Sequence, residues 1–241
     1  MTQITRAVNE PILSFAAGSS ERASLQAKYD EMATQTIEIP LIIDGKEIKT
    51  GDMGNCVMPH NHQHVLATYH KAGETEVIQA IDVAMKSWKT WSTTTLEERT
   101  KIFRKAAELL QGPWRDTINA ATMLNQSKNA FQAEVDAACE LIDFFNFNAQ
   151  YAEEITANQP LISPEGMHNH LEYRPLEGFV FAITPFNFTS IAGNLPSAPA
   201  LMGNVALWKP ASSAVLPCYY IMKMLEEAGL PAGVINFIPG P

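Results

Sequence analysis

Gly178-Phe-Val-Phe-Ala-Ile183, Asn204-Val-Ala-Leu-Trp208 and Val234-Ile-Asn-Phe-Ile238 are three short apolar runs in the last quarter of a 241-residue chain. Each is too short for a core helix and reads as a strand; the first is apolar without alternation, the pattern of a strand covered on both faces. Between the first two lies Ile191 to Gly203, rich in small residues, which reads as a helix despite Pro196 and Pro199. Between the last two, Ser212 to Ala228 reads as a second helix, stopped by Gly229 and Pro231. The order β-α-β-α-β at this spacing predicts a parallel sheet with right-handed crossovers, half of a nucleotide-binding fold. The fold class is therefore α/β.

Working back toward the N-terminus, Asn158 to Pro164 holds two prolines and is followed by Met167 to Arg174, whose alternation predicts a half-exposed strand with His168 and His170 on one face. Residues 51–157 read as mainly helical. Apolar residues recur at helical spacing from about Thr75 to Trp91, and Thr95-Leu-Glu-Glu98 has the spacing of a capping box opening a second helix that stops at Gly112-Pro113. A third helix is expected over Trp114 to Leu124 and a long fourth from about Ala130 to Glu154. In residues 1–50 the pattern is weakly periodic until Ile37 to Ile43, Asp44-Gly45 and Lys46 to Lys49, which read as two strands around a tight turn. Pro40 places that hairpin at a sheet edge.

Composition bounds the function. With 46% hydrophobic and 18% charged residues the chain is an ordinary globular one, and Lys+Arg 17 against Asp+Glu 26 gives a net charge of −9. An acidic balance argues against nucleic acid or an anionic membrane as partner. No apolar run approaches the ~20 residues of a membrane span. Three cysteines, Cys56, Cys139 and Cys218, are too few for a disulfide scaffold and point to a reducing compartment, the cytoplasm or, in a eukaryote, the mitochondrial matrix.

Ligands of a parallel sheet sit at the carboxyl ends of its strands, here Thr184 to Phe188, Lys209 to Ser213 and Pro239 onward. No G-x-G-x-x-G fingerprint follows the first strand, which weakens an ordinary Rossmann dehydrogenase reading. Asn187, between Phe186 and Phe188, offers either a carboxamide donor to a developing oxyanion or an amide that closes a loop through backbone hydrogen bonds. Lys209, at the end of a buried strand, either reaches ribose hydroxyls or phosphate or snorkels at the surface.

Ile183-Thr-Pro-Phe-Asn-Phe-Thr189, followed by Leu207-Trp-Lys-Pro-Ala211, resembles the aldehyde dehydrogenase superfamily. Asn9-Glu-Pro11, Gln132-Ala-Glu134, Leu141-Ile-Asp-Phe-Phe145, Leu176-Glu-Gly-Phe179 and Asn194 through Asn204 look most like its 1-pyrroline-5-carboxylate (L-glutamate γ-semialdehyde) dehydrogenase branch, over essentially the whole chain. The resemblance implies an NAD-dependent oxidation of an amino-acid aldehyde to L-glutamate in proline breakdown, by way of a cysteine adduct and a thioester. It implies that Asn187 supplies the oxyanion hole, that Thr184 and Pro185 line the cofactor cleft, and that Lys209 binds the adenosine ribose. Phe188 would wall the substrate tunnel and Glu140 would lie near the charged head of the substrate. Where NAD-preferring relatives often carry Glu, three residues after this lysine, stands Ser212; position alone leaves NAD and NADP both open, and the branch favours NAD.

The resemblance also divides the chain into an N-terminal arm with hairpin (1–50), a helical part of the cofactor domain (51–157), a linker with an oligomerisation-type strand (158–177) and half of the nucleotide-binding sheet (178–241). The family's nucleophile and general base match nothing here, so the chain reads as the N-terminal part of a dehydrogenase that is itself a homo-oligomer, inactive alone. A truncated, non-catalytic nucleotide-binding or subunit-association segment and another aldehyde dehydrogenase branch are the competing readings. Cys56, His60, His62 and His64 have the residue types of a soft-metal site, but no second ligand group accompanies them and no metal is expected.

Overall fold

A computed structural model describes residues 6–241. Its C-terminal part is the expected βαβαβ unit: β6 (Val180–Ile183), α7 (Thr189–Leu201), β7 (Ala206–Lys209), α8 (Val215–Glu227) and β8 (Ile235–Phe237). The three strands are parallel and in register, with Val180 beside Ala206 and Ala206 beside Ile235. Pro196 and Pro199 stand inside α7 and do not end it. Trp208 is fully buried in the middle strand and meets Phe237 edge to face at 5.3 Å.

β6 departs from expectation. It is the outer strand of the sheet, and Phe181 and Ile183 on one face are 52% and 63% exposed. An unbroken apolar run records a face meant for cover, and no element among the described residues covers this one.

The other flank is closed by the N-terminal hairpin. The run Ile37 to Ile43 is two strands rather than one, because Pro40 has no N–H to give a ladder. β1 (Ile37–Ile39) pairs in parallel with β5 (Asn61–His70), while β2 (Leu41–Ile43) turns through Asp44-Gly45 into β3 (Lys46–Ile48) and pairs antiparallel with β8. Asp44 and Gly45 both have positive φ, as so tight a turn requires. The five-stranded order is β3-β2-β8-β7-β6, with the hairpin at its edge. Asn236 Oδ1 accepts the Asp44 N–H at 3.1 Å and fixes the turn to β8.

Two elements lie outside the sequence reading. Ser20–Ala33 is a helix, α1, capped by Ser19, whose hydroxyl accepts the Arg22 N–H; only Leu25 and Met32 are buried, too few to show as a stripe. Residues 53–70 form an antiparallel hairpin, β4 (Met53–Met58) and β5, which with β1 makes a separate three-stranded sheet. The helices that follow are α2 (Glu74–Trp91), α3 (Leu96–Gln111) and α4 (Arg115–Gln126). The capping box at Thr95 and Glu98 forms in both directions. The long fourth helix is broken into α5 (Ala130–Ala133), a π-helical stretch (Glu134–Cys139) and α6 (Glu140–Ala157).

Residues 167–174 are not a strand. The alternation survives as a shared face, with the His168 and His170 rings stacked at 6.0 Å, but no neighbouring strand supplies a ladder.

Candidate functional site

The carboxyl ends of β6 and β7 are flush: Ile183 pairs with Lys209, and the Thr184 N–H donates to the Lys209 carbonyl at 3.1 Å. The loops that follow therefore leave the sheet side by side. Thr184 is buried and its hydroxyl accepts the Trp208 indole N–H at 3.1 Å, so its side chain serves the core. Pro185 and Lys209 are half-buried. Lys209 makes no ion pair among the described residues, whereas Ser212 is engaged, donating to the Gly240 carbonyl at 3.1 Å.

Asn187 is exposed at the start of the turn into α7, and its carboxamide makes no hydrogen bond to any described residue. Its backbone carbonyl instead accepts from the Lys128 ammonium. The loop is closed through the main chain and the side chain is left free. Phe188, next in sequence, lies under the same ammonium, 4.8 Å from ring centroid to nitrogen.

Phe188 and Glu140 line one groove of about 650 Å³, together with Asp143, Phe144, Phe147 and Tyr151 from α6. Successive turns of that helix place all of these on one face. The two carboxylates are differently placed. Asp143 accepts from the Asn9 carboxamide and the Glu10 N–H, both at 2.7 Å, and so ties down the N-terminal arm. Glu140 accepts only the Ser190 hydroxyl, at 2.8 Å, and keeps one oxygen without a partner among the described residues.

Beneath the groove the π-helical stretch holds two buried acids. Glu134 accepts from Arg115, from Asn119 at 2.8 Å and from the Leu13 N–H at 2.9 Å. Burial would raise its carboxyl, but these donors and the guanidinium outweigh burial and hold it below the usual carboxylate range. Asp136 is pushed the other way by burial, against the pull of Lys128.

The sequence reading missed Lys128, Asp136 and Ser190. Lys128, in the short connection between α4 and α5, and Asp136 are far along the chain from Asn187, Ser190 is an ordinary polar residue, and nothing in local spacing marks them.

All three cysteines are buried, and burial pushes the Cys56 and Cys139 thiols up to about 12 and raises Cys218 as well. None has the exposed, electropositive setting of a reactive thiol. Cys56 is buried in the core and the His60 ring bonds to Ser127 at 2.7 Å; His60 lies in the turn before β5, whereas His62 and His64 stand on that strand. Among the described residues no group of three His, Cys, Asp or Glu side chains could hold a metal ion. Nor is any described helix long and apolar enough to cross a membrane.

Comparison with known proteins locates this arrangement. A family model described as the aldehyde dehydrogenase family matches residues 48–241. A delta-1-pyrroline-5-carboxylate dehydrogenase from Agaricus bisporus is 51% identical over 233 residues, 96% of this chain and 43% of that protein. The human mitochondrial protein of the same name is 46% identical over 238 residues, 99% of this chain and 42% of its own length. The crystal structure of the Mycobacterium tuberculosis delta-pyrroline-5-carboxylate dehydrogenase bound with NAD superposes with a TM-score of 0.97 at 47% identity, over 100% of this chain and 45% of that one. The chain thus spans less than half the length of the relatives it matches.

Proposed function

Because the chain belongs to the aldehyde dehydrogenase family, we propose that it supplies the oxyanion donor and half of the cofactor-binding sheet of an NAD-dependent oxidation of L-glutamate γ-semialdehyde to L-glutamate. The observation that carries this reading is the free, exposed Asn187 carboxamide at the end of β6, next to a groove walled by Phe188 and Glu140.

The residues present fit the cofactor. Two parallel strands end flush, and beside their crevice stands Lys209, a cation with no carboxylate partner among the described residues. Lys209 would donate to ribose hydroxyls, while Thr184 and Pro185 would offer main chain to the cleft; Ser212 would bound it through its contact with Gly240. When bound, NAD supplies the hydride acceptor. A thiolate adding to the aldehyde carbon places negative charge on the carbonyl oxygen, and the Asn187 N–H is the donor placed to hold it. Glu140 would attract the substrate ammonium, with Phe188 excluding water from its side of the groove.

None of the three buried cysteines can act as the nucleophile, so we place that group, and the general base, on residues beyond these 241. The four-part division at residues 50, 157 and 177, a homo-oligomeric enzyme and a reducing compartment (cytoplasm or mitochondrial matrix) belong to the same reading. Calorimetric titration with NAD tests it on this chain: Lys209→Ala should weaken binding several-fold, and NADH production from the aldehyde by the chain alone would refute the placement of the nucleophile.

A further inference from the structure

The segment 187–190 is held at every residue from outside itself. α7 begins at Thr189 with no side-chain cap, so nothing local fixes its entry. Thr189 Oγ1 accepts the Gln126 amide at 2.8 Å and meets the Thr122 hydroxyl at 2.9 Å. Ser190 Oγ lies 2.8 Å from Glu140 and 3.4 Å from Asp136. The remaining two residues are held by one group: the Lys128 ammonium donates to the Asn187 carbonyl, lies over the Phe188 ring and is paired with Asp136.

Lys128 reaches this place by an unusual backbone step. Ser127, at the end of α4, is left-handed with φ 53, and that reversal turns the chain back toward the β6–α7 loop. Only 17% of the Lys128 side chain is exposed. A largely desolvated cation that faces a carboxylate, a carbonyl and an aromatic ring at once ties the three together.

We propose that Lys128 is a positioning residue for the reaction assigned above: it fixes the main chain at Asn187 and Phe188, and through it the aim of a carboxamide that has no anchor of its own. The proposal rests on the role given to Asn187. Displacing a donor by about an ångström costs on the order of 10²-fold in rate, so Lys128→Met should lower kcat by about 10- to 100-fold. The KM for NAD should change little, because Lys209 is on another strand and bonds to none of these groups.

The test is steady-state kinetics, with circular dichroism as the folding control, on the full-length enzyme carrying this segment, in K128M, N187A and the double variant. The expected result is non-additivity: the double variant is no slower than N187A, because Lys128 acts through Asn187. K128R, which keeps a cation and donors, should recover most of the loss. If K128M does not fold, K128Q replaces it under the same criterion. A kcat loss that multiplies with that of N187A, or a K128M enzyme as fast as wild type, overturns the proposal. A near-normal kcat in N187A would instead overturn the reading of Asn187 itself.

Discussion

Glu134→Gln should destabilise the fold by about 3 kcal/mol, and the figure can be worked from its surroundings. The side chain is fully buried and accepts from two nitrogens of Arg115, from Asn119 and from the Leu13 N–H. An amide of the same shape presents N–H groups to some of these donors and removes the negative charge. Breaking a buried ion pair costs about 3–5 kcal/mol. The lower end applies here because Arg115 keeps a second carboxylate, Glu10, at 2.6 Å. In a chain of this size about 3 kcal/mol lowers Tm by about 6–12 °C. The carboxyl is held below its ordinary range, so its contribution is present above the unfolded pKa of about 4.3 and is lost as pH falls through the folded value. The wild type should therefore lose stability below about pH 4 more steeply than the variant. A thermal or urea unfolding series from pH 3 to pH 7 measures both effects. The internal comparison is Glu153→Gln: its bidentate pair with Arg104, at 2.6 and 2.9 Å, is partly solvated and should be worth about 1 kcal/mol or less. If E134Q costs less than about 1 kcal/mol, the reading of Glu134 as the buried, ionised partner of Arg115 is wrong.

Other outcomes follow from the geometry. Asn187→Ala in the full-length enzyme should lower kcat by about 10²–10³, the cost of one oxyanion donor, measured as initial rates of NADH formation; an unchanged kcat would remove the residue from the chemistry. Gly203 has φ +89, and a Cβ there would sit 2.7 Å from Pro175 Cγ, so Gly203→Ala should cost about 1–3 kcal/mol in a denaturant titration; a neutral result would contradict the left-handed backbone at this position. At pH 8, thiols with pKa near 12 are ionised to about one part in 10⁴. None of the three cysteines should react with a thiol reagent in minutes, and all three should do so in urea; rapid labelling of any in the native chain would contradict its burial.

What could be read in the residues was what depends on near neighbours. The three apolar runs, the capping box at Thr95 and the stripe of α2 are local patterns, and each element lies within a few residues of its expected place. The β4–β5 hairpin was missed because its tip, Asn61-His-Gln-His64, is polar and its pairing with β1 lies far along the chain. The strand expected at 167–174 failed for the converse reason: its pattern is local, while the hydrogen bonds that make a strand are not. The motif around Asn187 showed where a donor could be, and the groove residues Glu140 and Phe188 were named with it. What holds the loop could not be seen, since Lys128 acts from 59 residues away.

The N-terminal hairpin sets the order in which the sheet can be built. Among the described residues its neighbour inward is β8, and the bond from Asp44 to Asn236 spans 192 residues. On a ribosome adding about 5–20 residues each second, β2 emerges about 10–40 s before the strand it must join. Through that interval Leu41, Ile42 and Ile43, all buried in the finished fold, have no sheet to enter. Closing a flexible loop that long would cost about 5 kcal/mol of chain entropy, and folding of the helices and strands between β2 and β8 lowers that cost before the two strands meet. The strand β2 is thus among the last to take its place in the five-stranded sheet, and a nascent polypeptide stalled before residue 235 should present an apolar strand that chaperones can hold.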